Sequence, residues 1–238
     1  MIRMLQFWKS RQICSSLMGV VWFTTHLFLA GPPQFPGIEG SDWLLLTAVI
    51  FIILPVPMHL TARHGILTWV SLIGLYTAIL SPLLSLHSVP IAMVIILLHS
   101  LLSLTSIFLF QKQPGPSPVL AWILCAITSA VLIADTGSIV YAQQQASLII
   151  PLGFSWFYQQ RNKSVTQQLT LPFFILFSTQ IILSYHFSFL PFYSAVLLIV
   201  APCSWLFFSV IWHRYLLLLV LLFSAVICSR ANIFGHIV

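Results

Sequence analysis

Residues 214–230 read RYLLLLVLLFSAVICSR: two arginines enclosing a run with no charge at all. Arg230 lies 230 − 214 = 16 residues past Arg214, which is about 24 Å of helix rise. That approaches the ~30 Å hydrocarbon core of a bilayer, so the run predicts a helix that crosses a membrane.

The rest of the chain repeats the pattern. Its 238 residues are 60% hydrophobic and 5% charged, and mean hydropathy is +1.06. A soluble domain carries about 25% charged residues, so that class is excluded. The apolar runs are long and continuous, unlike the alternating ~10-residue strands of an outer-membrane barrel. The expected fold is all-α: one integral membrane domain over residues 1–238, a polytopic bundle of about eight or nine helices with no soluble domain. The candidate spans are 13–30, 43–60, 65–84, 89–110, 118–138, 142–158, 170–189, 192–212 and 215–230. The sixth is weakened by Gln143, Gln144 and Gln145 at its start and by Pro151 and Gly153 within it; the eighth carries Pro202. The first run follows Arg3, Lys9 and Arg11 as a signal peptide would, but it lacks a small-residue cleavage site, and we read it as a retained helix.

Net charge is +6, from nine basic against three acidic residues. With a cytoplasmic N-terminus, Arg3, Lys9, Arg11, Arg63, Lys112, Arg161, Lys163 and Arg214 all fall inside, as positive-inside sorting requires. The predicted location is therefore the inner (cytoplasmic) membrane, multi-pass. No basic cluster is interleaved with aromatics, so membrane lipid is the expected partner and nucleic acid is not. Arg230 alone falls on the outer side, where a cation is costly unless solvated or paired; a snorkelling arginine is the plain reading.

Little chemistry is available. Three acids, with Glu39 and Asp42 in one loop and Asp135 near the outer end of the fifth span, cannot supply a carboxylate dyad or a proton relay. The four cysteines show no CxxC pair, so no metal or redox motif is expected. The histidines show no helical i, i+3 or i, i+4 pair to hold haem. His99 is placed near mid-membrane; His59, His64 and His213 towards the inner face; His26, His87, His186 and His236 towards the outer. No cofactor is expected. A carrier of small solutes with a neutral site, built on broken helices, remains open.

The C-terminal region concentrates the rest. Counted from a turn at Arg214, Cys203 lies about 16 Å up one helix and Arg230 about 24 Å up the next, a difference of about 8 Å. A guanidinium near a thiol favours the thiolate and stabilises an oxyanion, and an imidazole supplies acid/base catalysis. Buried packing of Cys203 is the ordinary alternative, and a Cys203–Cys228 disulfide is another.

The Pro202-Cys203-Ser204-Trp205 element, the Trp212-His213-Arg214-Tyr215 turn and Arg230 followed by Gly235-His236 resemble the signature region of the exosortase/archaeosortase family. The resemblance covers about residues 185–238. Trp205 stands where the family has glycine, and Cys203 and Arg230 lie 27 residues apart. It implies a membrane cysteine transpeptidase that cleaves the C-terminal sorting tails of exported proteins near the outer face. Cys203 is then the nucleophile, Arg230 the oxyanion partner and His236 the acid/base, with His186, His26 and His87 as alternatives for that last role. The rival from another class is a non-catalytic membrane subunit that scaffolds a larger complex.

Overall fold

A computed structural model describes residues 2–32, 45, 48–49, 65–80, 88–110, 117–159, 165–206 and 210–235. Among them the regular structure is helical: α1 (Ile2–Ala30), α2 (Gly65–Ile79), α3 (Val89–Phe110), α4 (Ser117–Asp135), α5 (Ile139–Ser147), α6 (Ile149–Gln159), α7 (Val165–Phe187), α8 (Phe192–Val200), a 3₁₀ segment (Ala201–Leu206) and α9 (Ile211–Gly235). The expected all-α class holds for these residues. Most of the 43–60 span lies outside them.

Three described helices are long and apolar enough to cross a membrane: Ser117–Asp135, Leu169–Phe187 and Ile211–Arg230. Two of the expected spans are interrupted. The 142–158 run is divided at Leu148, between α5 and α6. Pro151 has no N–H for the carbonyl four residues back, so the ladder is broken there. The 192–212 run ends as α-helix at Val200 and tightens into the 3₁₀ turn that contains Pro202. The last helix begins at Ile211 rather than 215, and Arg214 N–H already bonds Val210 O at 3.3 Å inside it.

α7 is the hub, packed against α1, α3, α4, α5, α6 and α8. Its membrane-length window is 89% buried, against 17% for Ile211–Arg230 in α9. The polarity runs the opposite way: mean hydropathy is 1.4 for the α7 window and 2.0 for the α9 window. Thr170, Ser178, Thr179, Gln180 and Ser184 all lie inside on α7. On α9, Trp212, Leu216, Leu219, Phe223 and Ile227 recur at helical spacing and point out. α3 repeats this with Ile91, Val94, Leu98 and Leu101 outward and Ala92, Ile96, Ser100 and Ser103 inward. In water, apolar faces of this extent drive association; facing hydrocarbon they cost nothing, while polar groups there must turn inward.

Two connections have particular geometry. Gly137 adopts φ +95° between α4 and α5, a conformation that costs glycine nothing. Phe189 adopts φ +58° after α7, which is strained for a bulky residue. Leu190 N–H reaches back to Ser184 O at 3.3 Å and holds the turn.

Candidate functional site

The residues nominated from the C-terminal pattern are not assembled into a site among the described residues. Arg230, in the C-terminal part of α9, donates through Nη2 to Asp135 Oδ2 at 2.9 Å; the two side chains are 60% and 31% exposed. The cation that departs from the expected charge pattern is thus partnered by the acid at the end of α4. Cys203 is 5% exposed in the 3₁₀ segment and belongs to the apolar core cluster. Cys125, fully buried on α4, is a neighbour on the helix against which that segment packs. Cys203 and Cys228 are not joined by a disulfide, so that alternative is corrected. His236 and His87 lie outside the described residues. His186 stacks edge-on with Tyr185 at 4.6 Å between ring centroids.

The separation of Cys203 from Arg230 follows from two independent ladders. Ser194 Oγ donates to Ala225 O at 2.9 Å, which sets α8 level with α9. From that point Cys203 lies 203 − 194 = 9 residues down and Arg230 lies 230 − 225 = 5 residues up. At 1.5 Å per α-helical and 2.0 Å per 3₁₀ residue, that is about 22 Å along the axis. By the other route, Arg230 is level with Asp135, and Cys125 is 135 − 125 = 10 residues below it on α4, about 15 Å. Either value exceeds the sequence-derived 8 Å and the span of an arginine side chain. The sequence-based figure was too small because Arg214 is not at the turn and the helix that bears Cys203 ends early.

The polar cluster that does assemble is elsewhere. His26 of α1, Gln144 and Gln145 of α5, Gln180 of α7 and Ser129 of α4 are all fully buried. Gln180 Nε2 donates to Gln144 Oε1 at 3.1 Å, and Gln144 Nε2 lies 3.0 Å from His26 Nδ1. A carboxamide nitrogen only donates, so Nδ1 accepts and the neutral ring carries its proton on Nε2. Trp22 stacks on that ring, centroids 5.5 Å apart. Gln145 Nε2 donates to Ser129 Oγ at 2.9 Å, and Ser129 Oγ donates to Ala126 O at 3.1 Å. The adjacent pair Gln144 and Gln145 thus ties α5 to α7, α1 and α4. Among the described residues, Gln145 Oε1, Gln180 Oε1, Thr179 Oγ1 and Ser155 Oγ have no hydrogen-bond partner. A buried polar atom left in that state costs about 1–3 kcal/mol.

A second buried group lies between α2, α3 and α7. The Tyr76 hydroxyl meets Ser103 Oγ at 2.6 Å and Ser178 Oγ at 3.4 Å, and His99 stands edge-on to the Tyr76 ring. His99 Nδ1 is 2.8 Å from Ile95 O, so one ring nitrogen of the histidine expected at mid-membrane bonds its own helix, while its buried Nε2 has no hydrogen-bond partner among the described residues. No group of three or more metal-ligating side chains occurs among the described residues.

The sequence reading took Gln143–Gln145 as a mark against a span and placed His26 towards the outer face as a single residue. The structure buries His26, Gln144 and Gln145; Gln143 faces out. The usable signal was the same one: glutamines beside a Pro- and Gly-interrupted apolar run belong inside a bundle. No protein-family model, no curated protein and no solved structure matches this chain.

Proposed function

We propose that this chain is a multi-pass protein of the inner membrane, with about eight or nine spans and its N-terminus in the cytoplasm. In this reading it serves as a non-catalytic membrane subunit around which a larger complex is built. The carrying observation is the inverted polarity of α7 and α9: the more polar helix is 89% buried and the more apolar one 17% buried. Water as solvent selects the reverse arrangement. The non-catalytic part of the reading is supported by Cys203, which packs in the apolar core where a thiolate is disfavoured, and by Arg230, which is engaged by Asp135.

The second reading is the exosortase-like transpeptidase. One observation favours it: Cys203 sits where the helix tightens to 3₁₀ beside α9, and such breaks often mark functional positions. Replacing Cys203 by Ala in the native host separates the two. Unchanged processing of proteins with C-terminal sorting tails is expected for the scaffold. Loss of processing, with the variant still folded in the membrane, overturns the scaffold in favour of the enzyme.

A further inference from the structure

We propose that the glutamine–histidine cluster of α1, α4, α5 and α7 is a binding site for ordered water inside the bundle. The inference starts from direction. Two hydrogen-bonded strings leave the Gln144–Gln145 pair, one through Gln144 to Gln180 and to His26, the other from Gln145 to Ser129. Each leaves a carboxamide oxygen over: Gln180 Oε1 and Gln145 Oε1. Both belong to side chains with no solvent exposure. Both are acceptors, so what they need is a donor.

The chemistry narrows the occupant. The described hydrogen bonds of the cluster join three carboxamides, a serine hydroxyl and a neutral imidazole. A neutral molecule that both donates and accepts suits such a set, and complete burial favours a small one. Water has these properties and typically takes 2–4 polar partners when buried. The fold supplies a local reason for the site. α5 stops at Ser147, and Pro151 leaves the backbone short of one N–H, so polar backbone is freed beside the two glutamines. Interrupted helices hold polar ligands inside membrane proteins in this way.

Radiolytic hydroxyl labelling of the full chain in nanodiscs, in ¹⁸O-labelled water, tests this because bound water generates the radical where it sits. Trp22 and His26 are fully buried, stacked on each other and part of the cluster. Phe177 is equally buried, has no polar side-chain atom and stacks on Phe173 at 4.9 Å between centroids, and serves as the dry control; Trp212, 79% exposed, is the wet one. The expected result is ¹⁸O incorporation at Trp22 and His26 several-fold above Phe177. Replacement of both open oxygens, Gln145→Leu with Gln180→Leu, lowers that labelling to the Phe177 level in protein whose thermal transition shows it folded. Labelling of Trp22 and His26 no greater than Phe177 in the unaltered chain overturns the proposal. So does labelling that persists in the folded double variant. If that variant does not fold, the ratio in the unaltered chain decides alone.

Discussion

Replacing Gln144 by Leu probes the interior directly. Gln144 accepts from Gln180 Nε2 at 3.1 Å and pairs with His26 Nδ1 at 3.0 Å, with all three side chains fully buried. The change removes both bonds and strands one donor on Gln180 and one acceptor on His26. Interhelical hydrogen bonds in membranes average ~0.6 kcal/mol, so two give a floor of about 1 kcal/mol. Two stranded groups at about 1–3 kcal/mol each set an upper bound near 6 kcal/mol. Partial relaxation brings the expected loss to about 1–4 kcal/mol. Reversible unfolding in mixed detergent micelles, followed by tryptophan fluorescence, measures it. Leu219→Ala on the outward face of α9, where Leu219 is 55% exposed, should change stability by less than ~0.5 kcal/mol. Adding Gln180→Leu to Gln144→Leu removes the stranded donor, so the double variant should be less destabilised than the sum, with a coupling of about 0.5–3 kcal/mol. A Gln144→Leu protein as stable as the original, or strict additivity in the double variant, refutes the cluster as an energetic unit.

Thiol labelling of the folded protein should modify the half-buried Cys228 ahead of Cys125 and Cys203, which are buried; a Cys203 that reacts first supports the catalytic reading. The Arg230–Asp135 pair is largely exposed, so Arg230→Ala should cost under ~1 kcal/mol, with the coupling to Asp135→Ala measured by a double-variant cycle. Phe189→Asn should raise the melting temperature, since asparagine tolerates the φ of +58° and relief of left-handed strain is worth about 1 kcal/mol. A tryptophan placed at Phe223, which faces out, should be quenched by brominated lipid, whereas one at the buried Phe177 should not; equal quenching contradicts the assignment of α9 to the lipid face.

Much of the helical content was legible because hydropathy is a local property. The runs behind α3, α4, α7 and α9 are apolar over at least 19 residues each, and their positions follow from the requirement that backbone groups in lipid bond within their own helix. The breaks at Leu148 and Val200 were signalled by Pro151 and Pro202, but not their consequence. A proline within an apolar run leaves open whether the helix kinks, tightens or ends, and neighbouring helices decide that. The site was less legible for a related reason. Cys203 and Arg230 were set within about 8 Å of one depth by treating two helices as ideal rods joined at Arg214, and both the rod and the joint proved different.

By itself, the sequence determined the solvent: 5% charge and repeated apolar runs require helices with hydrocarbon-compatible faces. It also set Asp135 and Arg230 towards one end of their spans, in keeping with their contact. Only the tertiary structure decided which helix occupies the centre and which polar groups meet. His26 and Gln144 are 118 positions apart, and Asp135 and Arg230 are 95 apart. Whether such residues touch depends on the rotation and depth of separate helices, and those are set by packing against neighbours rather than by any local pattern.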